Sequence, residues 1–217
     1  ELSLCIDTHR PKSFIFDGAF PYRGMLRAIH SRNDIDKLWM RRGTFRKGSS
    51  IPVDSINFFD AIIHPEDSVK RDDDLLKHSL EVITCPPILV LDENEKISRE
   101  AARRRLGIPM ECTAVYVQLG AGEINDIDSE IRLTIAALTG NNGVHVILGE
   151  SLIGDRLDID LDNVHIIRDY PNAMYFNGFD ATVQAGGYNS YHETRQSSLP
   201  ALFYPNMNTG MDDQLAR

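Results

Sequence analysis

Three short segments set glycine, small polar and acidic residues directly after apolar runs. The first is Gln118-Leu-Gly-Ala-Gly-Glu-Ile-Asn125. Gly120 and Gly122 let the backbone approach a ligand closely, and a following helix offers N–H groups and the positive end of its dipole, which suits phosphate. The third glycine of the full dinucleotide fingerprint is absent, because position 125 is Asn. An ordinary βα turn accounts for the same residues. The second segment is Gln184-Ala-Gly-Gly-Tyr-Asn-Ser-Tyr-His-Glu193. Gly186 and Gly187 repeat the phosphate argument, and Asn189 and Ser190 can cap the helix or donate to a ligand. Glu193, one turn in, is placed to accept hydrogen bonds from ribose hydroxyls, or simply to answer the dipole. The third is Pro205-Asn-Met-Asn-Thr-Gly-Met-Asp-Asp-Gln214. Asp212, Asp213 and Gln214 bring acceptors and donors that bind polyols, or cap a helix. Together the three describe a cleft for a nucleoside diphosphate joined to a sugar.

The elements that must carry these segments alternate. Strands are expected at 13–17, 37–40, 60–64, 80–84, 113–119, 144–148, 164–167, 180–184 and 201–204. Helices are expected at 22–31, 99–106, from Ile127 to Leu138, at 173–179, from about Ser190 to Ser197, and from Asp212 onward. Ser98 can cap the 99–106 helix and Gly107 can end it. Strands alternating with helices imply parallel sheets covered on both faces, an α/β fold of the Rossmann-like, doubly wound kind. In such sheets, ligands bind beyond the carboxyl ends of strands. Cys85-Pro86-Pro87 breaks the pattern, since two prolines remove two N–H donors. The expected division is therefore residues 1–85, a linker at 86–97, and residues 98–217. The chain opens on Glu1 and closes inside an expected helix, so both ends read as cuts in a longer protein.

Composition limits the classes available. Of 217 residues, 42% are apolar and 25% charged, which excludes collagen-like, disordered and disulfide-scaffold chains. The net charge of −9 argues against broad binding to a phosphate backbone, so no nucleic-acid partner is expected. The three cysteines form no CxxC pair and fit a reducing, cytoplasmic compartment. No apolar run is long enough to span a bilayer.

The tail Phe179-Asp-Ala-Thr-Val-Gln-Ala-Gly-Gly-Tyr-Asn-Ser-Tyr-His-Glu193, then Leu199-Pro-Ala-Leu-Phe-Tyr-Pro205, then Met211-Asp-Asp-Gln-Leu-Ala-Arg217, resembles the donor-binding domain of GT-B glycosyltransferases. It is most similar to the group (family twenty-eight-like) that holds the UDP-N-acetylglucosamine transferase of peptidoglycan synthesis. The resemblance runs from about Pro87 to the end. It implies that Gly187, Tyr188, Asn189 and Ser190 face the diphosphate, that Glu193 holds the ribose, and that Asp213 and Gln214 hold the donor sugar. Gly120 then lines the phosphate cleft, and Arg168-Asp169-Tyr170 sits where family members grip the base. One departure is the pair Tyr188 and Asn189, where many relatives carry small residues. Residues 1–85 become the end of the acceptor-side domain, truncated so that no residue can be assigned as the base.

The function this implies is sugar transfer from a nucleotide-sugar donor, expected to be a UDP-sugar, to an acceptor hydroxyl of unknown identity. No cofactor and no metal are expected. Peripheral membrane association is expected only if the acceptor is a lipid. A nucleotide-sugar 2-epimerase of the same fold and a non-catalytic sugar-nucleotide-binding module are the alternatives. Several other patterns carry less. Asp72-Asp73-Asp74 has DxD spacing but suits a helix start. Asp158-Ile-Asp-Leu-Asp162 lacks the Gly and Glu of a calcium loop. Arg41 and Arg42 offer either an anion contact or a solvated strand end, and Arg103-Arg104-Arg105 reads as a solvated face. His192 beside Glu193 reads as structural, because neighbouring helical residues point apart.

Overall fold

A computed structural model describes residues 1–46, 53–69, 80–120, 127–150, 159–207 and 212–217. The chain forms two units, one of residues 1–88 with 210–217, the other of residues 89–209. The sequence set the break in a linker at 86–97. That stretch carries a 3-10 turn, Glu93–Glu95, closed by a reciprocal cap in which the Asp92 N–H donates to Glu95 Oε2 at 2.8 Å.

In the first unit the elements are α1 (Leu2–His9), β1 (Ser13–Asp17), α2 (Arg23–Ile29), β2 (Asp36–Met40), α3 (Val53–Ile56), β3 (Ala61–Pro65) and β4 (Glu81–Cys85). The strands form a parallel sheet in the order β1-β2-β3-β4. Ile6, Leu26, Ile29, Trp39, Ile56 and Phe59 make its core. The buried indole of Trp39 donates to the Gly18 carbonyl at 2.9 Å, so its one polar atom is satisfied. Helix α1 was not expected from sequence. It has no side-chain cap and buries only Ile6, so its periodic signal is faint.

The segment after Met211 differs from its sequence reading. No helix starts at Asp212, and the segment clusters with the first unit rather than the second. Asp212 forms an antiparallel bridge with Phe45, and the Asp213 N–H donates to the Thr44 carbonyl at 2.7 Å. The fully buried Arg217 side chain reaches Asp67 at 2.9 Å and Asp212 at 2.6 Å. A buried guanidinium needs charged partners, and meeting them outweighs one turn of helix. The two basic residues are also not a solvated strand end. Arg41 is 2% exposed with its guanidinium 3.8 Å from the centre of the Phe45 ring, and Arg42 pairs with Asp17 at 2.8 Å.

In the second unit, α4 (Arg99–Leu106) precedes β5 (Thr113–Gln118), α5 (Asp128–Thr139), β6 (Val144–Gly149), β7 (Val164–Ile167), a 3-10 helix (Asn172–Gly178), β8 (Ala181–Ala185), α6 (Tyr188–Gln196) and β9 (Ala201–Tyr204). Ser98 Oγ accepts from the Ala101 N–H at 3.2 Å, and Gly107 ends α4 at φ 68°, as expected from the sequence. All strands are parallel, in the order β7-β6-β5-β8-β9. Alternate residues of β5 serve opposite faces. Tyr116 packs with Ile147, Ile167, Tyr175 and Phe176, while Val115 and Val117 pack with Ile131 and Ile135 of α5. No described helix is long and apolar enough to cross a membrane.

Arg103 departs from the solvated-face reading, while Arg104 and Arg105 are exposed as that reading expects. Arg103 is 0% exposed and donates to the carbonyls of Gly178, Pro109, Met110 and Cys112 and to Asp180 Oδ2 at 2.7 Å. Asp180 also accepts from Arg99 and from the Ala114 N–H, each at 2.7 Å. Burial alone would raise the Asp180 pKa, but these donors hold it below the usual carboxylate range.

Candidate functional site

In the sheet of the second unit, the chain runs from β5 outward through β6 to β7, then returns to add β8 and β9 on the other side. The direction reverses between β5 and β8. A reversal of this kind opens a crevice at the carboxyl ends of the two strands, because the connections leave on opposite faces. The register places Gln118 level with Gln184. Gly120 and Gly186, each two residues further on, therefore leave the sheet side by side. Gly120 sits at φ 114°, a conformation that a side chain strongly disfavours, so glycine is required there. Gly122 lies outside the described residues, as do Asp72-Asp73-Asp74 and Asp158.

After β8, Gly187 is the N-cap of α6, and a Cβ there would meet no atom within 4 Å. The helix begins at Tyr188, earlier than the sequence suggested, so Asn189 and Ser190 are first-turn residues rather than caps. The first-turn N–H groups of an α-helix point along its axis and carry its positive dipole end. Tyr188 contributes here through its backbone. Its ring is 8% exposed and packs on His192 with centroids 4.5 Å apart. His192 is buried, in keeping with a structural role.

Glu193 lies in the second turn of α6 and is half-buried. No described residue hydrogen-bonds its carboxylate. Burial raises its pKa above the ordinary value, and the charge of Lys96 offsets part of that. Lys96 is committed elsewhere, to Glu93 and Ser197, each at 2.7 Å. A half-buried carboxylate with no donor among the described residues suits a ligand that brings hydroxyl groups.

At the ends of the neighbouring strands, Arg168 comes after β7 and Glu150 after β6. They pair at 2.6 Å, with the Glu150 side chain only 7% exposed. Arg168 is thus tied to this pair beside the crevice. The switch point brings together Gly120, Gly186, Gly187, Tyr188, Asn189, Ser190 and Glu193. Asp212, Asp213 and Gln214 belong to the first unit. There the Asp212 carboxylate answers Arg217, and Asp213 Oδ1 accepts from the Ala216 N–H at 3.3 Å. The sequence reading passed over a polar chain under β5. Asn172 Nδ2 donates to Tyr116 Oη, and Tyr116 Oη donates to Gln118 Oε1, both at 2.9 Å. No motif signals it, because Asn172 and Tyr116 are 56 positions apart.

No family model and no curated protein matches the sequence. Solved structures do match. The spinosyn rhamnosyltransferase SpnG superposes with a TM-score of 0.62 at 15% identity, covering 98% of this chain and 57% of its own. The glycosyltransferase of kitacinnamycin gives 0.62 at 15%, covering 99% and 62%. MurG of Acinetobacter baumannii gives 0.56 at 10%, covering 99% and 58%. The fold is GT-B. At these identities the likeness concerns the fold, and it agrees with the resemblance read in the tail. The chain spans 57% to 62% of the length of these three structures.

Proposed function

We propose that this chain is part of a glycosyltransferase that moves a sugar from a nucleoside-diphosphate donor, expected to be a UDP-sugar, to an acceptor hydroxyl. The observation that carries the proposal is the switch point between β5 and β8. It is flanked by Gly120 on one strand and by Gly186, Gly187 and the start of α6 on the other, with Glu193 presenting a carboxylate that meets no donor among the described residues. SpnG supports the reading from outside, having been solved with thymidine diphosphate and with the spinosyn aglycone. Thymidine and uridine diphosphates share a pyrimidine, a pentose with a free 3′-hydroxyl and two phosphates, so the same crevice chemistry suits both.

In the proposed reaction the acceptor hydroxyl attacks the anomeric carbon as the nucleoside diphosphate leaves. Negative charge grows on the leaving phosphate. The N-terminal turn of α6, from Gly187 to Ser190, stabilises that charge more in the transition state than in the ground state. Glu193 holds the ribose hydroxyls, and Arg168 stands at the base end. Asp212, Asp213 and Gln214 are assigned to the sugar on the resemblance alone. The base that takes the acceptor proton is assigned to no residue of this chain, which is expected to bind donor without turning it over. The free cysteines Cys5, Cys85 and Cys112 support a cytoplasmic setting. Membrane association belongs to the proposal only for a lipid acceptor.

Thermal-shift or calorimetric titration with UDP, dTDP, GDP and their sugars tests the reading. A clear shift with a pyrimidine nucleotide is expected, and Glu193→Ala should weaken it about tenfold or more through loss of a charged hydrogen bond. No shift with any nucleotide would overturn the proposal. Unchanged affinity in Glu193→Ala would remove the ribose assignment.

A further inference from the structure

Gln118 closes β5 at the switch point, level with Gln184 and two residues before Gly120. Its side chain is half-buried, and the two ends of its carboxamide have different surroundings. Oε1 accepts from the hydroxyl of Tyr116 at 2.9 Å. That hydroxyl is itself buried and accepts from Asn172 Nδ2 at 2.9 Å. A phenol has one proton. With a lone pair taken up by the Asn172 amide, that proton goes to Gln118. Burial raises the Tyr116 pKa, so the hydroxyl keeps its proton and the direction of the chain is stable across ordinary pH. The carboxamide oxygen is therefore anchored inward. Nε2, on the opposite side of a planar group, carries two N–H donors with no acceptor among the described residues.

We propose that the Gln118 amide donates to the diphosphate of the nucleotide, and that Tyr116 and Asn172 are positioning residues that fix its orientation. This rests on the nucleotide-sugar reading of the same crevice. The neutral donor adds to the N-terminal turn of α6 from the other strand, so the diphosphate is approached from both sides of the switch point. A carboxylate at this position would offer the phosphates repulsion instead of a hydrogen bond. Gly149 is part of the same device. A methyl group there would sit 2.8 Å from Tyr116 Cζ, so the small residue keeps room for the ring that orients Gln118.

The test titrates the 217-residue chain with UDP and with uridine, using wild type, Gln118→Glu, Gln118→Ala, Tyr116→Phe and the double variant Gln118→Ala/Tyr116→Phe. Gln118→Glu keeps the shape and the bond from Tyr116 but removes both donors. UDP affinity should fall at least tenfold in Gln118→Glu, with uridine affinity unchanged. Tyr116→Phe should cost UDP a few-fold in the wild-type background and nothing further in Gln118→Ala. That dependence on Gln118 is what a merely structural tyrosine would lack. If wild type binds UDP and Gln118→Glu binds it equally well, this inference is overturned while the nucleotide reading stands. Equal losses of uridine and UDP overturn it too. A wild-type chain that binds no nucleotide removes both. Gln118→Ala serves as the second variant should the glutamate fail to fold.

Discussion

Glu193 ionises in a half-buried place where, among the described residues, the charge of Lys96 offsets part of the cost of burial. Its folded pKa stands above the unfolded value, so the protein loses stability as pH rises through that range. The neutral isostere removes this cost. Glu193→Gln should therefore melt higher than wild type at neutral pH while binding UDP more weakly. A melting temperature equal to or below wild type would show that the carboxylate carries no such burden. Asp180 is the opposite case. It is held below the usual range by the Ala114 N–H and two guanidinium groups, one of which, on Arg103, is fully buried. Removing its charge leaves the Arg103 cation without an anionic partner. Asp180→Asn should lower the unfolding free energy by about 3 kcal/mol, read by urea denaturation. A loss within about 0.5 kcal/mol, typical of a surface change, would contradict this.

At the scale of elements, the crevice depends on where β5, β6 and β8 end and on the residues just beyond them. Tyr116 on β5 presses its hydroxyl end against Gly149 on β6 while its ring stacks on Phe179, centroids 5.2 Å apart. Gly149→Ala forces the ring away at a cost of about 1–3 kcal/mol, the usual range for overpacking. The same shift breaks the bond to Gln118, so UDP affinity should fall with stability. A destabilised Gly149→Ala that binds UDP normally would uncouple the two effects. Element limits were the best-read feature of the sequence. β1, α4, β7 and β9 fall where apolar runs, caps and glycines put them, because those signals act within a few residues. Helices α1 and α3 were missed, since α1 buries only Ile6 and α3 is a single turn, and neither carries much periodicity.

Across the whole second unit, acid should weaken the fold through His145 and His165. Their Nδ1 and Nε2 lie 2.9 Å apart on β6 and β7, a distance that suits one shared proton and not two charged rings. Burial, then the neighbouring His145, lowers the pKa of His165. The unfolded chain takes up the proton first, near pH 6.5, so stability present above that value is lost as pH falls through the lower folded pKa. Urea midpoints at pH 7 and pH 5 should separate by less in His165→Gln than in wild type. Equal separations would assign the acid sensitivity to other groups. At this same scale the grouping of residues 210–217 with 1–88, apart from 89–209, sets which unit owns each candidate residue.

The sequence by itself determined the class of fold, most element positions and the glycine turns at Gly120, Gly186 and Gly187, because these depend on local sterics, periodicity and hydrogen-bonding preferences. It also carried the motif in the tail that resembles GT-B enzymes. Only the tertiary structure decided the rest. The strand order placed the reversal between β5 and β8, and strand order arises from packing between segments that are far apart in the chain. Tertiary packing turned Tyr188 inward, buried Arg103 against Asp180, and set Arg217 between Asp67 and Asp212 in the first unit. It joined Asn172, Tyr116 and Gln118 into one chain of hydrogen bonds. Each of these outcomes satisfies a buried polar group with a partner that no local pattern names. Desolvation sets that requirement, and only the folded arrangement says which residue meets it.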